Sequence, residues 1–154
     1  MTNKIIIAID AMGGENAPSK NIEGVSIFLK KKKNKSDVFF NLYGDKKLIE
    51  GELEKNNIPK DFYEIFHSST VVSDEETPLT AIKNSKDSSM WNSINSQIIS
   101  NSKITLSAGN TGVLFVVSRM LLKTIETVSK PALAGLWPNE KNMNVVLDLG
   151  ANIE

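Results

Sequence analysis

Short apolar runs alternate along the chain with longer segments whose apolar residues recur at helical spacing. Runs of the first kind are typical of buried strands, and segments of the second kind are typical of amphipathic helices. The pattern predicts strands at Lys4 to Ile9, Val38 to Tyr43, Phe62 to Phe66, from Lys103, at Pro131 to Pro138 and at Met143 to Leu149. It predicts helices after Pro18, from Lys46 to Lys55, after Pro78, from Ser88 and after Thr111. Because such alternation is typical of parallel sheets covered on both faces, we predict an α/β protein with a mostly parallel sheet.

One predicted helix, from Val113 to Leu122, is apolar on nearly every side. A helix without a polar face is normally buried. We therefore expect it to pack against the sheet or against another polypeptide.

Composition narrows the classes of chemistry that the chain can perform. Its 154 residues suit one domain with a sizeable core, and 18 Lys and Arg residues balance 18 Asp and Glu residues, so the net charge does not favour nucleic acid. The absence of cysteine excludes thiol nucleophiles and thiolate metal sites, and the single histidine, His67, cannot form a histidine cluster. We expect neither a metal nor another cofactor. The first apolar run is too short for a signal peptide or a membrane span, which predicts a cytoplasmic protein.

Two glycine-containing turns follow predicted strands. Asp10 to Pro18 follows the first strand and contains Gly13 and Gly14, and Ser107 to Gly112 follows the fourth. A small polar turn before a helix presents backbone N–H groups where the helix dipole favours an anion. Ligands of parallel sheets bind at the carboxyl ends of the strands, so both loops are predicted to face one crevice. The sequence thus predicts a site for an anion such as phosphate.

Common nucleotide and hydrolase motifs are missing from these turns. No Gly-Lys-Ser/Thr follows the glycines, and neither the Gly-x-Gly-x-x-Gly fingerprint nor a Gly-x-Ser-x-Gly elbow is present. Paired glycines also form ordinary tight turns, so Gly13 and Gly14 have a structural explanation as well. The Ser107 to Gly112 turn is the better candidate for anion or oxyanion binding, because it combines hydroxyls, an amide and permissive backbone.

Other polar residues at predicted strand ends and helix starts have two interpretations each. Lys86, Asp87 and Ser88 could offer charge and hydroxyl groups to an anion, or could form an ordinary helix cap with an exposed lysine. His67 could act as a general base or be a hydrogen-bonded loop residue. Asp10 could cap the glycine loop or orient a partner in the site. The residues predicted to lie at the carboxyl ends of strands are Asp10, His67, Ser107 and Asp148.

Four segments, taken in order, resemble a known family. Ile7 to Pro18, Lys86 to Met90, Ser107 to Gly112 and Asp148 to Asn152 are similar to motifs of the bacterial phosphate acyltransferases of phospholipid synthesis, the PlsX family. The resemblance implies a Rossmann-like α/β/α sandwich. It also implies a homodimeric enzyme that transfers a fatty acyl group from acyl carrier protein to inorganic phosphate, giving an acyl phosphate. Such an enzyme would be cytoplasmic, with some association with the inner face of the membrane.

Candidate roles follow from this resemblance and from the chemistry of the residues. Phosphate is a competent nucleophile at neutral pH, so the enzyme has to hold it and to stabilise the tetrahedral oxyanion. The candidate catalytic residues are His67, Lys86 and Asn110. The candidate substrate-binding residues are Asp10, Gly13, Gly14, Asn16, Asp87, Ser88, Ser107, Thr111, Gly112, Asp148 and Asn152.

The chain also departs from this family. Glu15 stands where the family usually has Asp, and the family chains are considerably longer. We therefore expect residues 1–154 to be the N-terminal part of a truncated α/β domain whose C-terminal half is absent. Two alternatives stay open: another enzyme on a similar sheet, such as a short-chain phosphate acetyltransferase or a decarboxylating dehydrogenase, and a fragment that binds phosphate or a partner without turnover.

Overall fold

Six strands and five α-helices form the part of the chain that the computed structural model describes, residues 4–32, 37–73 and 75–147. In chain order they are β1 (Ile5–Asp10), α1 (Ser19–Lys31), β2 (Val38–Gly44), α2 (Lys46–Lys55), a 3-10 turn (Lys60–Phe62), β3 (Tyr63–His67), α3 (Pro78–Asn84), α4 (Ser89–Ile99), β4 (Ile104–Leu106), α5 (Thr111–Leu121), β5 (Ala134–Pro138) and β6 (Met143–Leu147). The types and order of the predicted strands and helices are confirmed.

The first four strands form a parallel sheet in the order β3-β2-β1-β4. β1 lies inside the sheet, where Ile7 pairs with Phe40 of β2 and Ile9 pairs with Leu106 of β4. The prediction of an α/β protein with a mostly parallel sheet is thereby confirmed. Because neighbouring parallel strands end at the same edge, the loops that follow β1 and β4 emerge side by side.

The two faces of the sheet carry different side chains and different helices. Ile7 and Ile9 pack with Leu42 and with residues of α1 and α2, including Ile22, in the main hydrophobic core. The opposite face carries smaller and more polar side chains, and α4 packs on it. There the Thr105 hydroxyl of β4 donates a hydrogen bond to the Ser93 carbonyl of α4 at 3.0 Å. The helices on both faces give the Rossmann-like sandwich.

Helix α5 is the most apolar of the described helices, yet only one of its faces is buried. Val113 and Val117 are fully buried against Met90 and Ile94 of α4, whereas Met120 is 49% exposed. The expectation that this helix is buried therefore holds for one of its faces only. Neither α5 nor any other helix within the described ranges is both long and apolar enough to cross a membrane.

Strands β5 and β6 form a separate antiparallel hairpin, in which Leu136 lies opposite Val145. Parallel neighbours need a crossover of a dozen or more residues, and only residues 139–142 join these two strands. Strand β6 is therefore not part of the four-stranded parallel sheet. Asp148 and Asn152 lie outside the described residues, and their place in the site stays a prediction.

Removing a core side chain from β2 should destabilise the fold strongly. Leu42 is fully buried, so Leu42→Ala is expected to lower the free energy of unfolding by about 2–5 kcal/mol, through lost burial and the cavity left behind. Leu48, which is 53% exposed on α2, provides a matched control, and Leu48→Ala should change that free energy by about 0.5 kcal/mol or less. Urea denaturation measures both, and equal effects would contradict this description of the core.

Candidate functional site

A hydrogen bond between side chains joins the loops that follow β1 and β4. The Ser107 hydroxyl donates to Asp10 Oδ2 at 2.7 Å, although the two residues are 97 positions apart in the sequence. Ser107 Oγ also accepts from the Gly109 N–H at 3.1 Å, while Asp10 Oδ1 accepts from the Met12 N–H at 3.3 Å. Each side chain therefore fixes its own loop and the neighbouring one.

The glycine turn after β1 packs directly on the backbone of the loop after β4. A Cβ atom on Gly13 would lie 2.6 Å from Asp10 Oδ2 and 2.9 Å from the Gly109 nitrogen. A Cβ atom on Gly14 would lie 2.6 Å from the Ala108 carbonyl oxygen, and the φ of Gly14 is +85°, which side chains rarely adopt. Both positions require glycine because the two loops approach so closely.

Asn21, on the first turn of α1, holds the same glycine turn from the other side. Its amide Nδ2 donates to the Ala11 and Gly13 carbonyl oxygens, at 2.9 Å each. The sequence analysis did not identify Asn21. The sequence did contain a signal for it. Asn21 is an amide directly before Ile22, at the start of the apolar face of a helix that follows a glycine turn.

Asp10 is 1% exposed, so its carboxylate lies inside the junction of the two loops. Burial raises the pKa of Asp10 above its usual value, because the charged form loses its hydration. Hydrogen bonds from the side chains of Ser89 and Ser107 and from the Met12 N–H lower the pKa and so act in the opposite direction. A carboxylate with these surroundings orients the two loops. Both interpretations from the sequence have a matching contact, because Oδ1 caps the glycine loop at Met12 and Oδ2 holds Ser107.

The start of α4 is the third component of the site. The Met90 side chain reaches to 3.1 Å from the position that a Cβ atom on Gly109 would occupy. Ser88 caps the helix by accepting a hydrogen bond from the Trp91 N–H at 3.2 Å. Asp87 has a φ of +65°, and both Asp87 and Lys86 are exposed just before the cap. Met90 thus brings the start of α4 against the Ser107 loop.

Asn110 begins helix α5 and is held by hydrogen bonds on both sides of its amide. Its Oδ1 accepts from the Val113 N–H at 3.1 Å, and its Nδ2 donates to the Glu76 carbonyl oxygen at 3.0 Å. Thr111 and Gly112 are the first two residues of the helix, and Thr111 is exposed. A helix N-terminus with an exposed hydroxyl can bind an anion. Nowhere in residues 4–32, 37–73 and 75–147 do three His, Asp or Glu side chains converge as metal ligands would.

One other predicted site residue, His67, lies away from the junction of the loops. His67 Nδ1 accepts a hydrogen bond from the Lys46 N–H, at 3.3 Å, at the start of α2. Strands β2 and β1 separate β3 from β4, which at about 4.8 Å per strand places His67 roughly 14 Å from the β4 loop. Its role as a general base stays a prediction. Asn16, with a φ of 58°, is exposed further along the glycine turn.

A methyl group at Gly13 should separate the two loops. Gly13→Ala places carbon within 3.0 Å of Asp10, Ser107 and Gly109, and overpacking of this kind is expected to lower the free energy of unfolding by about 1–3 kcal/mol. Gly51 lies in α2 with open space around it, so Gly51→Ala should instead raise that free energy by about 0.5–1 kcal/mol. Chemical denaturation compares the two variants, and a neutral Gly13→Ala would contradict the close approach.

The raised pKa of Asp10 predicts a characteristic pH dependence of stability. The native protein holds the Asp10 proton more tightly than the unfolded chain, in which this group titrates near 3.8. Protonated Asp10 therefore stabilises the native state fully below pH 3.8. This stabilisation is lost as the pH rises through the native pKa. Denaturation of wild type and Asp10→Asn across this range should show the difference, wild type minus variant, falling with pH. A difference that is constant or rises with pH would refute the prediction.

Comparison with known proteins places the chain in a family. A family model described as "Fatty acid synthesis protein" matches residues 5–154. Proteins named phosphate acyltransferase are similar over the whole chain: one from Pelagibacter ubique is 47% identical, one from Rhodopseudomonas palustris is 40% identical, and one from Caulobacter vibrioides is 35% identical. The alignments cover 99–100% of this chain but 42–45% of those relatives, so the chain spans less than half of their length. The chain belongs to the fatty acid synthesis protein family.

Proposed function

We propose that residues 1–154 form the N-terminal part of an acyltransferase domain that moves a fatty acyl group from acyl carrier protein to inorganic phosphate. The acyl phosphate product would serve phospholipid synthesis. One observation carries the proposal: the bond between Asp10 and Ser107 fixes a glycine turn beside the N-terminus of α5, where an anion is favoured. The name of the relatives, phosphate acyltransferase, supports the same reaction.

The proposed reaction needs a held nucleophile and a stabilised oxyanion. A phosphate oxygen attacks the carbonyl carbon of the carrier-protein thioester, and the carbonyl oxygen becomes negatively charged in the tetrahedral intermediate. The carbon–sulfur bond then breaks, the carbonyl re-forms as an acyl phosphate, and the sulfur leaves as a thiolate that takes a proton from water. Positioning and electrostatic stabilisation supply most of the rate in such a reaction.

The residues around the two loops divide these tasks. Thr111 and Gly112 offer a hydroxyl and backbone N–H groups to phosphate at the start of α5, and Asn110 keeps that helix start in place. We assign Lys86, which is exposed just before the cap of α4, the role of offsetting the charge of the phosphate. Gly13 keeps the backbone of the two loops close together. The proposal does not depend on His67.

Association with other proteins belongs to the same proposal. We propose a homodimer in the cytoplasm that meets acyl carrier protein and, in part, the inner face of the membrane. The β5–β6 hairpin supports association with another polypeptide, because its apolar residues Leu136 and Val145 are both 66% exposed. Exposed apolar surface of this kind is typical of interfaces.

Removing the Thr111 hydroxyl should weaken phosphate binding. Thr111→Val is expected to raise the dissociation constant of inorganic phosphate by about ten- to a hundredfold, since a hydrogen bond to a charged group contributes roughly 1.5–3 kcal/mol. Thr124→Val provides the control, because Thr124 is also exposed but lies beyond the end of α5. Phosphorus NMR titration measures both variants. An unchanged affinity in Thr111→Val would remove Thr111 from the site.

Product analysis tests the reaction itself. The protein, acyl carrier protein charged with a long-chain acyl group, and phosphate are mixed, and acyl phosphate is trapped with hydroxylamine. We expect a hydroxamate that depends on phosphate, and a much smaller yield with acetyl-coenzyme A as donor. A preference for acetyl-coenzyme A would support the short-chain alternative. Phosphate binding without any hydroxamate would contradict transfer by this chain.

A further inference from the structure

An apolar groove of about 390 Å³ begins at the candidate site and runs along one face of the sheet. Its polar end is formed by Asp10, Asn21 and Ser107, and the rest is lined mainly by Ile7, Ile9, Val25, Phe28, Phe40 and Leu106. A pocket with an apolar body and a few convergent polar groups is the usual form of a small-molecule site.

Helix α1 and the edge strand β4 form the two sides of the groove. Lys20 and Phe28 of α1 both line it, and eight residues of helix at a rise of 1.5 Å give a length of about 12 Å. On the other side Leu106 is 50% exposed, and Ile104 on the same face is 45% exposed. The groove therefore extends well beyond the anion site as an open apolar surface.

We propose that this groove holds the hydrocarbon part of the transferred acyl group, with its carbonyl end at Ser107. This inference rests on the proposed function, because it assigns one end of the same substrate to the neighbouring surface. Two features favour a hydrocarbon chain as the occupant. The groove is continuous with Ser107 and Ala108 of the anion loop, and apart from Lys20 the side chains that line it beyond that polar end are apolar.

Gly24 provides a way to fill the groove without disturbing its surroundings. It lies on α1 in the groove lining, and a Cβ atom added there would meet nothing within 4 Å. A leucine at this position would occupy space that the hydrocarbon needs. Gly51 of α2 is the matched control, because it is also a helical glycine with open space around it and does not line the groove.

The test measures binding of decylphosphonate and methylphosphonate, which share a headgroup and differ in chain length. We expect decylphosphonate to bind about a hundredfold more tightly, because its methylenes leave water. Gly24→Leu should weaken the affinity for decylphosphonate at least tenfold and leave the affinity for methylphosphonate within twofold of the wild-type value. Gly51→Leu should change neither affinity. Gly24→Ala, a smaller addition, should give an intermediate loss, and circular dichroism confirms that each variant is folded.

The outcomes separate this inference from the proposed function. Equal affinities for the two phosphonates, or equal losses in Gly24→Leu and Gly51→Leu, would overturn the groove assignment and leave phosphate binding standing. That is also the result expected if the groove takes polypeptide instead of hydrocarbon. Decylphosphonate binding that is sensitive to Gly24→Leu, without measurable binding of phosphate, would support the groove and contradict the proposed function. Binding of neither phosphonate would contradict both.

Discussion

The hydrogen bond from Ser107 to Asp10 is the interaction on which the candidate site depends. It closes a loop of 97 residues and fixes the carboxyl ends of β1 and β4 relative to each other. The strands alone would leave those ends adjacent but their loops free to move. Because Gly13 leaves no room for a side chain between the loops, the bond also fixes the approach of the two backbones. Helix α5 begins four residues after Ser107, so the position of its start is set by the same contact.

The position of Asp10 explains why so many neighbours are polar. A carboxylate that is 1% exposed is destabilised by the loss of water, and its hydrogen bonds have to offset that loss. Ser107 and the Met12 N–H supply them directly. Asn21 contributes indirectly, because it holds the carbonyl groups of the glycine turn and so keeps Met12 in place. The junction of the two loops is therefore a connected network of hydrogen bonds at the edge of an otherwise apolar sheet.

The local pattern of apolar and polar residues was enough to predict the strands and helices, because each of these elements depends mainly on the spacing of apolar residues within it. It was also enough to identify Ser107 and Gly13, since glycine and small polar residues after a strand are a local signal. Strand order is not local: His67 ends a strand as predicted, but β2 and β1 separate it from Ser107. The β5–β6 hairpin is a related case, because the short turn after β5 makes an antiparallel pair outside the four-stranded sheet. Asn21 was missed because its partners are carbonyl groups, which the sequence does not distinguish.

The alternation of side chains along β1 links the anion site to the apolar groove. Ile7 and Ile9 point to the face that carries α1, whereas Ala8 and Asp10 belong to the face covered by α4. The final residue of the strand thus anchors the loops from one side while its neighbours form an apolar wall on the other. The proposed reaction joins an anionic nucleophile to an acyl donor with a hydrocarbon tail, and so needs an anion site beside an apolar surface. One strand provides them because successive residues of a strand face opposite sides of the sheet.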